Sequence, residues 1–183
     1  MRKKLPLLNA LGLPVIASLL ASACSTSPVP DGPDVALVAR ESPSIERLLE
    51  RARFASLEGQ VLAEINRFRE EHGRRPMVRH GGLDALAECH SLAMGECGTM
   101  SHRGFDRRAS EAEERFGLTW AAENVLRATG YADTTLADLV VKTWSESRDH
   151  RKNLLRSNVY TGVGIFRGEG GVVWVTQLSA RPH

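Results

Sequence analysis

The residues best suited to chemistry are two histidines and a glutamate that lie far apart in the chain: His102, Glu123 and His150. His102 lies in Thr99-Met100-Ser101-His102-Arg103-Gly104, a loop that follows a helical pattern. His150 lies at the end of a later one, in Trp144-Ser145-Glu146-Ser147-Arg148-Asp149-His150-Arg151-Lys152-Asn153. Glu123-Asn124 interrupts an apolar and small-residue segment, Trp120-Ala121-Ala122-Glu123-Asn124-Val125-Leu126. An acid among such neighbours must face solvent or meet polar partners. Two imidazoles and one carboxylate can hold zinc and leave a position for water, which suits hydrolysis or addition to a carbonyl. The same groups can instead form a metal-free polar cluster, with Glu123 bonding His102 and His150 and shifting their titration. Ser101 or Ser147 as a nucleophile is the weaker reading, because loop and helix serines ordinarily serve as caps.

The other histidines read as structural. His183 is terminal, and His72 and His80 sit in polar turns where solvation is expected. His90 falls on an apolar helical stripe, which predicts a core histidine with a satisfied ring nitrogen. The chain has no Gly-x-Ser-x-Gly, no His-Glu-x-x-His, no P-loop and no dinucleotide-binding glycine fingerprint. Gly162-Val163-Gly164 lies inside a strand pattern, so it marks close backbone approach rather than a phosphate cradle.

Several helices and strands must position these groups. Ser44 can cap a helix from Ile45, and Leu57, Val61, Ile65 and Phe68 form one stripe ending near Gly73, with Gly59 marking a break. A second helix starts near Gly82, with Leu83, Leu86, Ala87, His90, Ala93 and Met94 on one face. Asp106 to Phe116 reads as a short surface helix, with Ser110 and Glu113 at capping-box spacing. Asp133 or Thr134 can cap a further helix with the stripe Leu136, Leu139, Val140, Thr143, Trp144 and Ser147. Tyr160–Phe166 and Val172–Leu178 read as antiparallel strands joined across Gly168–Gly171, and Ala122–Leu126 as a third strand. Helices and strands mix without βαβ alternation, which predicts an α+β layered fold around a small, mostly antiparallel sheet.

The first residues of the 183 read as an export signal. Arg2, Lys3 and Lys4 precede an apolar stretch to Leu20 that is interrupted by Pro6, Asn9 and Pro14. Ala21-Ser22-Ala23-Cys24 resembles the bacterial lipobox, with Ala21 where leucine is commonest. It predicts a signal peptide over 1–23 and acylation of Cys24 by palmitate-type chains. Ala21-x-Ala23 also fits ordinary cleavage of a secreted protein, and both readings cut before Cys24. Ser25 rather than an aspartate follows, which favours the outer membrane where a cell has one. Residues 24–43, with Pro28, Pro30, Pro33 and Pro43, read as the anchor cysteine and a flexible tether, and 44–183 as one domain with its core at about 57–181. Of the three cysteines, Cys89 and Cys97 then remain. A continuous helix holds them about 12 Å apart, so they bridge only if the helix ends near Gly95; otherwise they stay reduced.

The formal charge is +2, but loss of the leader leaves 21 basic against 22 acidic side chains. Arg67, Arg69, Arg74, Arg75 and Arg79 cluster without aromatic residues between them and read as a solvated helix end, so no nucleic-acid partner is expected.

These pieces, taken together, resemble a known family. The order Ile65-Asn66-x-x-Arg69, Leu83-x-x-x-Ala87, Ser101-His102, Glu123-Asn124, Trp144-x-x-Ser147-x-x-His150-Arg151-x-Asn153-Leu154-Leu155, Gly162-Val163-Gly164 and Thr176-Gln177 is similar to the bacterial branch of the CAP superfamily, the cysteine-rich secretory or SCP-like extracellular domains. The resemblance covers roughly residues 57–181. It implies an α-β-α sandwich and a cleft lined by His102, Glu123 and His150, with Asn124, Ser147 and Asn153 as supporting polar positions. Ala122 stands where the family's glycine is usual, Arg148-Asp149 replaces a common Pro-Gly, and a second cleft glutamate has no clear counterpart. Family membership implies no common reaction. The expected function is therefore a non-enzymatic module displayed on the envelope, anchored to the membrane through Cys24 and binding an apolar, glycan or protein ligand. A zinc-dependent envelope hydrolase using His102, His150 and Glu123 is the alternative, and a purely structural adhesion role the third.

Overall fold

The computed structural model describes residues 44–183. The signal peptide, Cys24 and the tether lie outside the described residues. Helix α1 spans Ile45–Glu71, capped by the Ser44 hydroxyl, which accepts from the Arg47 amide at 3.3 Å. The helix runs through Gly59 unbroken. A mid-helix glycine costs about 1 kcal/mol relative to alanine, and burial of the Leu57, Val61, Ile65 and Phe68 stripe offsets that. Gly73 follows the helix end in the left-handed region, at φ 67°.

Strand β1 is only Val78–Arg79. Helix α2, Gly81–Cys97, begins at His80, whose Nδ1 accepts from the Leu83 amide. That ring packs against Phe116 and Tyr160, so His80 is half-buried rather than solvated. Helix α3 is Phe105–Phe116, capped by Gly104 and not by a capping box at Ser110, which lies inside the helix. Strand β2 runs over Leu118–Thr129, well beyond the expected 122–126. Helix α4 covers Asp133–Glu146 with Ala132 at its cap, because the Asp133 carboxylate is taken by Arg53 and Arg167 instead. Helix α5, Arg148–Leu154, leads to β3, Tyr160–Arg167, and a short turn leads to β4, Val172–Pro182.

The sheet order is β1-β3-β4-β2, with β3/β4 and β2/β4 antiparallel and β1/β3 parallel. Helices pack on both faces. On one, Val61, Ile65, Val140 and Trp144 of α1 and α4 meet Leu126, Val163, Val173 and Val175. On the other, Leu83, Leu86, Ala87 and Ala112 of α2 and α3 meet Leu118, Leu178 and Ala180. This is the expected α-β-α sandwich.

Gly162 and Gly164 let the α2 backbone lie directly on β3. A Cβ at Gly162 would sit 2.2 Å from the Asp84 amide nitrogen, and one at Gly164 would sit 2.1 Å from that of Glu88. Asp84 completes the contact by accepting from the Val163 amide at 2.9 Å. The basic cluster is not simply solvated. Arg69 is buried and donates to the Arg75, Leu154 and Arg156 carbonyls, tying α1 to the end of α5. Arg79 bridges Glu58 and Asp84. The α2 helix is continuous through Gly95, so Cys89 and Cys97 stay on one rod, both exposed and free, and the contemplated bridge is not formed.

Candidate functional site

β2 is an edge strand, and its alternation decides what each neighbour meets. Glu123 points toward the α2–α3 layer and Asn124 toward the α4–α5 layer. Glu123 is 5% exposed, and both its oxygens are engaged. His102 Nδ1 lies 2.8 Å from Oε1. Arg108 of α3 approaches Oε2 with Nε at 2.8 Å and Nη2 at 2.6 Å, with only Nε aligned as a hydrogen bond. His90 Nε2 donates to the Ser101 carbonyl at 2.8 Å and stands 3.8 Å from Glu123 Oε1. His90 is thus the core histidine its stripe predicts, and it also steadies the loop that carries His102.

On the opposite side, Asn124 Nδ2 donates to Gln177 Oε1 at 3.0 Å and to the His150 carbonyl at 3.3 Å. Asn153 Nδ2 donates to Asn124 Oδ1 and to the Glu123 carbonyl, both at 3.0 Å. Trp144 is fully buried and anchors α4 by donating to the Val125 carbonyl at 3.0 Å. Glu146 is exposed, away from that face. The short α5 therefore hangs His150 beside the strand from one layer, while the loop before α3 hangs His102 from the other. Their ring centroids are 6.4 Å apart. His102 is half-exposed, whereas His150 Nδ1 is buried with no partner. Burial, then the nearby His102, holds the His150 imidazole below the usual histidine range. Burial does the same to His90, against the opposing pull of Glu123.

The carboxylate beside Nδ1 favours the tautomer with its proton there, leaving Nε2 of His102 as the basic nitrogen facing out. His150 offers a second, neutral imidazole. The cluster therefore presents directional polar groups held by strand and helix. Ser147 sits at the α4–α5 junction and its hydroxyl caps nothing; Ser101 Oγ accepts from the Arg103 amide. Neither serine hydroxyl is hydrogen-bonded to an imidazole.

The expected zinc set of His102, His150 and Glu123 is not gathered into one group: among the described residues no three His, Cys, Asp or Glu side chains come together as a metal-holding group. Arg108 and His102 each engage one oxygen of Glu123. The expectation that Glu123 bonds both histidines is likewise half met, since Arg108 takes the place of His150. Arg108 was missed from the sequence because it lies in a polar helix beside an exposed arginine, and only the tertiary fold separates the two. Its one local cue is Gly104, which turns the chain at φ 76° to start α3.

Helices on both faces of a small sheet, with a histidine from each layer meeting at the sheet's rim, define an α-β-α sandwich. The chain belongs to the cysteine-rich secretory protein (CAP) family, whose sequence model matches residues 62–178. The uncharacterised protein YkwD of Bacillus subtilis is 28% identical over 132 residues, covering 68% of this chain and 47% of that protein. The chain thus spans under half the length of that relative. An extracellular SCP-domain protein of Bacillus anthracis superposes with a TM-score of 0.57 at 24% identity, covering 69% of this chain and 41% of the other. An outer surface protein of Borrelia burgdorferi gives 0.55 at 17% identity, covering 67% of this chain and 90% of the other. These two likenesses speak to the fold.

Proposed function

We propose that the chain is an exported CAP domain displayed on the cell envelope, which binds a ligand through the cleft between His102 and His150 and performs no chemistry on it. The observation that carries this reading is the engagement of Glu123. With one oxygen on His102 and the other on Arg108, the carboxylate holds the His102 imidazole in a fixed orientation. No serine partners either ring, so no nucleophile is activated. An oriented imidazole and a neutral one, set on fixed elements, suit hydrogen-bonded recognition. The extracellular and outer-surface descriptions of the two structural neighbours support export. Among the described residues no helix is long and apolar enough to cross a membrane. The lipobox-like Ala21-Ser22-Ala23-Cys24 is what supports anchoring through Cys24.

The test combines chemistry and location. Purified protein is incubated with zinc alone, then assayed for bound metal and for hydrolysis of a simple aryl ester. The reading expects less than stoichiometric zinc and no turnover that depends on the histidines. One zinc per chain, with esterase activity abolished in both His102→Ala and His150→Ala while folding is retained, would install the hydrolase instead. Labelling of cells with palmitate, with the label absent from Cys24→Ser, tests the anchor. A soluble, unlabelled wild-type protein would leave only secretion.

A further inference from the structure

Among the described residues, Trp120 is the one non-glycine residue with positive φ, at 56°. It sits where β2 carries one residue more than β4, in the irregularity between Thr119 and Ala122. Glycine is the residue that takes this conformation freely. The strained backbone is held from inside, since the buried Asn158 amide reaches the Trp120 carbonyl at 3.4 Å and the Ser179 hydroxyl at 2.9 Å. The result is an indole that is 66% exposed, whereas Trp144 and Trp174 are 0% and 3% exposed. Strain maintained by a core side chain and spent on displaying an aromatic ring points to use of that ring.

The surroundings of the indole say what it is for. A concavity of about 400 Å³ is lined by Trp120, Lys152, Arg156, Ser157, Asn158 and Arg181. The Arg181 guanidinium covers the ring at 4.6 Å. Lys152, Arg156 and Arg181 form no ion pair with any carboxylate among the described residues. Three uncompensated cations call for an anion, an indole wall calls for a flat C–H-bearing surface, and the hydroxyl of Ser157 calls for a hydroxylated partner. The concavity takes a discrete group, and its lining holds no aliphatic hydrophobic side chain of the kind a membrane-inserting patch would require. We propose that this hollow binds an anionic saccharide, a sugar carrying a phosphate or carboxylate group. The site is separate from the His102/His150 cleft and does not depend on that cleft holding a ligand.

Calorimetric titrations of the purified protein with glucose 1-phosphate, tri-galacturonate, glucose and inorganic phosphate test this, with Trp120 fluorescence as a second readout. Saturable binding is expected for at least one anionic sugar, which also identifies the anionic group. Glucose or phosphate alone should bind about tenfold more weakly, or worse. Trp120→Gly, which relieves the backbone strain and should raise Tm, loses the binding. A Lys152→Gln/Arg156→Gln double variant weakens it at least about tenfold, and His102→Ala leaves it unchanged. Equal affinity for glucose, or for phosphate alone, overturns the proposal. So does binding that survives in both Trp120→Gly and the double variant, or a response to phosphatidylglycerol vesicles with none to the sugars.

Discussion

Glu123 and Asn124 are consecutive residues of β2, yet each is held by a different layer of the sandwich. Glu123 bonds His102 and Arg108 on the α2–α3 side, and Asn124 bonds Gln177, Asn153 and the His150 carbonyl on the other. The polar cluster is therefore assembled at the sheet's rim by one dipeptide reaching both ways, which strand alternation alone makes available.

Glu123→Gln should be strongly destabilising. It leaves the Arg108 guanidinium, whose side chain is only 12% exposed, without its counter-charge. The expected loss is about 3 kcal/mol by urea denaturation, mostly recovered when Arg108 is also replaced by methionine. Nitrogen NMR should show His102 losing its preference for the Nδ1-protonated tautomer. Equal stability of Glu123→Gln and wild type would show that the ion pair is not formed in solution.

Asn153→Ala removes donors to both the Glu123 carbonyl and Asn124 Oδ1, and should cost about 2 kcal/mol. Asn124→Ala should cost a similar amount. The double variant should cost clearly less than the sum, because the two amides satisfy one another. Strict additivity would mean that they act separately.

Glycine substitutions should divide by what lies above them. Gly164→Ala drives a methyl into the α2 backbone and should cost about 3 kcal/mol. Gly59→Ala meets nothing within 4 Å and should stabilise α1 by about 1 kcal/mol. Thermal melts of the two variants check both signs.

Two groups should pull the pH profile in opposite directions. Burial, with the neighbouring Glu88 carboxylate, pushes Glu58 up to about 7 from an ordinary 4.5. Between those values the folded state holds the extra proton, so this contribution to stability is lost as pH rises toward 7. His90 is held below its ordinary 6.5, so the unfolded state takes the proton first and stability is lost as pH falls below 6.5. Glu58→Gln should gain about 1 kcal/mol at pH 8 and nothing at pH 4 relative to wild type. Its acid-side loss should be the steeper, with the histidine unopposed. An unchanged difference across that range would remove Glu58 as the titrating group.

The layered fold was legible because its parts carry local signals. The stripe Leu57, Val61, Ile65, Phe68, the Gly-rich turn between β3 and β4, and the strand-borne Gly162 and Gly164 each report their surroundings through residue type alone. His102, Glu123 and His150 stood out for the same reason, as polar groups among apolar or turn residues. What stayed hidden depends on contacts far along the chain. Arg108 differs from Arg107 only in which side of α3 meets β2, and β1 is too short to show a period. The extra residue at Trp120 is visible only against the register of β4. Gly59 misled in the same way, since a glycine's local preference yields once a helix is pinned along its length.

Both rims of the sheet are blunted. β1 offers two residues, and β2 begins with an irregular stretch with Trp120 projecting, while Asn153 and Trp144 side chains bond its Glu123 and Val125 carbonyls. The β1 rim is too short to extend, and on the β2 rim the Glu123 and Val125 carbonyls are already taken by Asn153 and Trp144. Crowded molecules of this protein should therefore resist growing into a shared sheet, with Asn153, a member of the polar cluster, also guarding the edge.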